Sequence, residues 1–143
     1  MTTSPLDTAG FPVLGEWGVP PDDGAVPAAR RRVAALVRAW GVPLSAEAAG
    51  EVELCAGELI ANAVEHTRER CTVTVRWDGG LLRVEVADTR PSLPRAQRDP
   101  EATGGRGLLL VEALAQTWGW EGTRTGKVVW FTYPDGAHRR GPG

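Results

Sequence analysis

The chain has 143 residues, with 16 Lys and Arg against 18 Asp and Glu for a formal net charge of -2. That length suits one domain with a single core, and mixed charge without a run of one sign gives no footprint for nucleic acid. No stretch approaches the roughly 18 consecutive apolar residues of a membrane span, and Met1-Thr2-Thr3-Ser4-Pro5 lacks the basic and apolar regions of a signal peptide, so a cytoplasmic protein without membrane attachment is expected.

Residues 1–15 are rich in Pro, Gly, Thr and Ser, and the tail 135–143 ends in Arg139-Arg140-Gly141-Pro142-Gly143; both are expected to be disordered, leaving 16–134 as the domain. Glu16-Trp17-Gly18-Val19 reads as a short edge strand that Pro20-Pro21 ends. Asp22 or Asp23 can cap a first helix, whose apolar positions Val26, Val33, Leu36, Val37 and Trp40 recur until Gly41-Val42-Pro43. Ser45 opens a second helix. Its positions Val52, Leu54, Cys55, Leu59, Ile60, Ala63 and Val64 form a broad apolar face, predicting a largely buried helix that runs to about His66.

From Cys71 the period changes to two. Val73, Val75 and Trp77 alternate with Thr72, Thr74 and Arg76, and Asp78-Gly79-Gly80 is a turn signal. On the return strand Leu82, Val84 and Val86 share one face and Arg83 and Glu85 the other, predicting a sheet with a dry and a wet side. Residues 89–105 are aperiodic and rich in Pro, Arg and Gly, a long loop of the kind that carries function. A third helix follows over Leu108 to Ala115, and Trp118–Glu121 with Lys127–Tyr133 reads as a closing hairpin. The pattern predicts an α+β fold, a two-layer α/β sandwich with helices on one face of a mainly antiparallel sheet. Cys55 and Cys71 form no Cys-x-x-Cys unit and are expected to be reduced, partly buried thiols. Lys127 is the chain's one lysine and receives no role at this level.

Three features carry chemistry. Glu58 and Asn62 are four apart on the second helix, so a carboxylate and an amide project from one face, a donor set that suits Mg²⁺ with phosphate; the alternative is an exposed polar stripe. Asp88 keeps the parity of Leu82, Val84 and Val86, aiming an acid toward the apolar side, which is costly without a partner. The amine of an adenine ring would supply one; a turn cap would be the other use. Thr103-Gly104-Gly105-Arg106-Gly107 precedes the third helix, where free N–H groups and the helix dipole favour an anion. Together the three point to a magnesium nucleotide.

The order of these motifs resembles the GHKL (Bergerat) ATP-binding superfamily. Glu58-Leu59-Ile60-Ala61-Asn62 is similar to its N box, Val86-Ala87-Asp88 to its first glycine box, and Gly104-Gly105-Arg106-Gly107-Leu108 to its second. The spacing looks most like the single-domain anti-sigma-factor serine/threonine kinases. That resemblance implies ATP or ADP bound with Mg²⁺: adenine on Asp88, the metal on Asn62, phosphates at Gly104, Gly105, Arg106, Gly107 and Leu108, and Glu58 as general base. The implied partners are a sigma factor or an anti-sigma-factor antagonist whose Ser or Thr is phosphorylated, with a homodimer in addition. Asp88-Thr89-Arg90-Pro91 lacks the glycines that often follow the first-box aspartate, and Thr103 stands where the kinases tend to carry an arginine, so Arg90, Arg98 and Arg106 are the candidates for that charge. A non-catalytic nucleotide-binding or partner-sequestering module of the same fold is the alternative.

Overall fold

The structure of the protein, a computed structural model, describes residues 11–22, 24–89 and 106–136, and residues 66, 67, 106 and 107 by backbone alone. Within them the element order is β1 (Val13–Val19), α1 (Ala25–Ala39), α2 (Ala46–Thr67), β2 (Cys71–Trp77), β3 (Leu81–Asp88), α3 (Arg106–Leu114), β4 (Thr117–Gly122) and β5 (Lys127–Pro134). The strands form one sheet in the order β1-β2-β3-β5-β4, every neighbouring pair antiparallel. The helices cover one face of it, giving the expected α+β two-layer sandwich.

Local chemistry explains most element ends. Ser45 is the N-cap of α2 and its hydroxyl accepts from the Ala48 N–H at 3.0 Å, satisfying one of the helix's orphan donors. Asp22 accepts from the Ala25 N–H at 2.9 Å at the start of α1; Asp23 lies outside the described residues. Arg68 closes α2 in the left-handed conformation, with φ of 56°. In the β2–β3 turn, Asp78 Oδ1 accepts from the N–H groups of Gly80 and Leu81, while Gly79 takes a φ of 97° that a side chain would strain.

The core lies between the layers. Val33 and Val37 of α1, Val52, Leu59 and Ile60 of α2, and Leu108 and Val111 of α3 pack with Val73, Val75, Val84, Val86 and Phe131 of the sheet. Leu54, placed by its apolar character on the inner face of α2, is instead 41% exposed; period alone does not separate the flank of a wide apolar stripe from its centre.

Two chain ends differ from expectation. The edge strand begins at Val13 rather than Glu16, because residues ahead of Glu16 continue the pairing with β2 and the Trp77 N–H donates to the Pro12 carbonyl. Asp135 is buried, accepting from Trp77 Nε1 at 3.2 Å, and the Gly136 N–H donates to the Pro43 carbonyl.

The second face of the sheet is not wet at its centre. Arg83 and Glu85 are only 6% and 7% exposed. Glu85 accepts from Arg83 Nε at 2.8 Å and lies 3.2 Å from Arg76 Nε, while the Arg83 guanidinium stacks over the Trp130 ring at 4.3 Å. Alternation assigned these side chains to the correct face. It could not show that neighbouring strands would bring an ion pair and an indole to cover them.

The cysteines are free and more deeply buried than expected. Burial, aided by Glu51 and Glu58, pushes the Cys55 thiol up to about 12 from 9.0; burial, aided by Asp88, pushes Cys71 up to about 11. A raised folded-state pKa adds stability that is complete below the unfolded value of 9.0 and lost as pH rises toward 11–12. The thiols' share of alkaline destabilisation should therefore begin near pH 9, so that the double Cys→Ala variant loses less of its own pH 8 stability than wild type does. A thiol reagent at pH 8 should label neither cysteine until denaturant unfolds the chain.

Candidate functional site

β3 and β5 bring together two residues 39 apart in sequence. Asp88, the last residue of β3, lies opposite Lys127, the first of β5. The Lys127 ammonium stands 3.2 Å from Asp88 Oδ1 and 3.1 Å from Oδ2, with side-chain exposures of 5% and 2%. This pair answers the question that the sequence left open about an acid aimed inward. A buried carboxylate needs compensation, and here the chain's one lysine supplies it. Lys127 was missed because its only sequence signal was its position at the start of a strand whose neighbour was unknown.

The close approach of β5 to β3 depends on Gly126. A Cβ at this position would run into the backbone of Asp88 and Thr89, which cannot rotate aside as a side chain can. Gly126→Ala should lower stability by about 1–3 kcal/mol. Urea unfolding checks the value, and an unchanged midpoint would show that the strands separate without cost.

α2 supplies the second part. Near its start, Glu51 Oε1 accepts from the Tyr133 hydroxyl at 2.8 Å, and Tyr133 pairs with Leu82 at the opposite end of β3 from Asp88. The eleven residues from Glu51 to Asn62 advance about 16 Å along the helix; the six from Leu82 to Asp88 advance about 20 Å along the strand. Since α2 packs on β3, laying one along the other brings Asn62 to the Asp88 end of the sandwich. Asn62 is 9% exposed, and its Oδ1 is buried with no hydrogen-bond partner among the described residues. A buried carbonyl oxygen left without a donor is uncommon and calls for a ligand. An amide oxygen is also a donor suited to Mg²⁺, so the residue fits the metal implied for it. Glu58, one turn earlier on the same face, is half-buried and makes no ion pair among the described residues.

α3 completes the arrangement. A cavity of about 750 Å³ at the Leu82 end of the sheet is lined by Glu51 and Tyr133 and by Leu114, Ala115 and Gln116 at the end of α3. The C-terminal end of α3 therefore lies at that cavity, at the opposite end of the sheet from Asp88. Leu108 is buried and anchors the first turn of the helix against the core. Of the expected phosphate residues, Arg106, Gly107 and Leu108 begin α3, whereas Gly104 and Gly105 lie outside the described residues, as do Arg90 and Arg98.

The structure thus supplies a buried acid, an amide oxygen unpartnered among the described residues and a helix start, groups suited to a phosphorylated ligand with a divalent cation. Residues 19–133 match the histidine kinase-like ATPase domain, and the chain belongs to that family. No curated protein matches the chain. Membership in an ATPase-domain family makes ATP, typically with Mg²⁺, the ligand against which these residues are read. No helix among the described residues is long and apolar enough to cross a membrane.

Proposed function

We propose that the protein is an ATP-binding regulator of the anti-sigma-factor kinase type, which phosphorylates a Ser or Thr of an antagonist protein and also binds a sigma factor. The observation that carries the nucleotide part is Asn62 Oδ1, buried without a partner among the described residues. In this reading Asn62 holds Mg²⁺, Asp88 accepts from the adenine amine, and the α3 N-terminus with residues 104–108 receives phosphate. Bound Mg²⁺ offsets charge on the phosphates. Glu58 accepts the proton of the attacking hydroxyl as its oxygen bonds to the γ-phosphorus of ATP, and the bond to the bridging oxygen breaks to release ADP.

One observation favours a second reading. Asp88 already has a cation against it, so the pocket's acid is compensated before any base arrives. A module that sequesters a partner without transferring phosphate would need no more than this. Calorimetric titration with ADP and ATP, with and without Mg²⁺, tests the shared nucleotide site. Wild type should bind ATP more tightly when Mg²⁺ is present, and Asn62→Ala should remove that difference while retaining magnesium-free binding. Well-folded wild-type protein that binds neither nucleotide would end the ATP reading in both forms.

A further inference from the structure

Resting on the nucleotide reading above, we infer that Lys127 reads the base: its ammonium donates to a ring nitrogen flanking the 6-amino group of adenine while Asp88 accepts from that amino group. The resemblance in sequence placed only the acid at this position. The structure places an acceptor and a donor side by side on adjacent strands, in a setting where neither side chain reaches bulk water appreciably.

Adenine offers the complementary pair. Its amino group is a donor, and the ring nitrogens on either side of it are acceptors. An ammonium carries three N–H donors and no acceptor, and an ionised carboxylate is acceptor-only. When the base arrives, one ammonium N–H turns from the carboxylate to a ring nitrogen, and an amino N–H takes its place on the carboxylate. The donor that leaves the carboxylate is replaced by another, and the two charges stay adjacent. A buried charge is never left uncompensated, which is the condition such a site has to meet.

The contact also uses features that a surface lysine would not need. Gly126 gives β5 room to approach the Asp88 backbone, and the ammonium donates to Asp88 Oδ1 and stands 3.1 Å from Oδ2 rather than extending to solvent. Fifteen of the sixteen basic residues are arginines, and the one lysine is the residue at this point. The compact ammonium presents a point charge to a single ring atom, whereas a guanidinium presents a planar fork.

The test is a calorimetric series on the full chain with ADP, 1-deaza-ADP and 7-deaza-ADP, each analogue replacing one flanking nitrogen by carbon. Wild type should bind one of the two about tenfold to hundredfold more weakly than ADP, the loss of one charge-assisted hydrogen bond. Lys127→Met should bind that analogue and ADP equally. Equal affinity of wild type for all three ligands overturns the inference while leaving ATP binding intact, and so does discrimination that survives in Lys127→Met. Should Lys127→Met not fold, the Asp88→Asn and Lys127→Met double variant, which carries no buried charge at this point, takes its place in the series. Failure of wild type to bind ADP at all overturns the ATP reading and this inference together.

Discussion

Lys127→Met should lower the free energy of unfolding by about 3–5 kcal/mol, measured by urea denaturation at neutral pH. The cost comes from what remains. Asp88 keeps a side-chain exposure of 2% and loses the ammonium that stood 3.1–3.2 Å from its oxygens. Combining Asp88→Asn with Lys127→Met should recover most of that loss, since a neutral amide beside a thioether needs far less compensation than a buried carboxylate that has lost its ammonium. A double-mutant cycle then isolates the coupling between the two strands. A loss below about 1 kcal/mol in the single variant would mean that the pair behaves like an exposed one and that water reaches Asp88. The same cycle bears on function, because a folded Asp88→Asn variant lacks the acid proposed to accept from adenine.

The reason this pair was invisible in the sequence is topological. Alternation in Thr72–Trp77 and Leu82–Val86, with the Asp78-Gly79-Gly80 turn between them, was sufficient to read β2 and β3 as a hairpin, because neighbours joined by a short turn share a local register. The Ser45 cap and the apolar stripe that follows it likewise placed α2. A chain that leaves β3, forms α3 and returns through β4 gives no local sign that β5, not β4, will pair with β3. Two hairpins can be assembled in several orders with every period intact. Once β5 lies against β3, Lys127 meets Asp88 and Trp130 meets Arg83, so the inner acid and the second sheet face both acquire partners that no window of sequence contains.

For the site the division is similar. Glu58 and Asn62 were legible as a pair because helical spacing alone puts them on one face. That Asn62 would be buried with its oxygen unpartnered among the described residues was not legible, since it depends on how α2 settles on the sheet. Phosphate contacts at Gly104 and Gly105 rest on the motif alone, because both lie outside the described residues.

Glu58→Gln should separate the two proposed activities. The amide keeps the size and hydrogen-bonding reach of the carboxylate but cannot take a proton at neutral pH, so phosphotransfer to a Ser- or Thr-bearing antagonist should fall about 10²–10⁴-fold. Affinity for ADP should stay within about twofold, because a general base acts in the transition state and adds little to binding of the product nucleotide. The half-buried setting of Glu58, with no ion pair among the described residues, makes a large stability change unexpected. Labelled ATP with a candidate antagonist gives the rate, and calorimetry gives the affinity. A wild-type protein that binds ADP but transfers no phosphate, with Glu58→Gln indistinguishable from it, would favour the sequestering module. In that case Glu58 would be a polar side chain on the helix that carries Asn62, and regulation would pass through the partner surface alone.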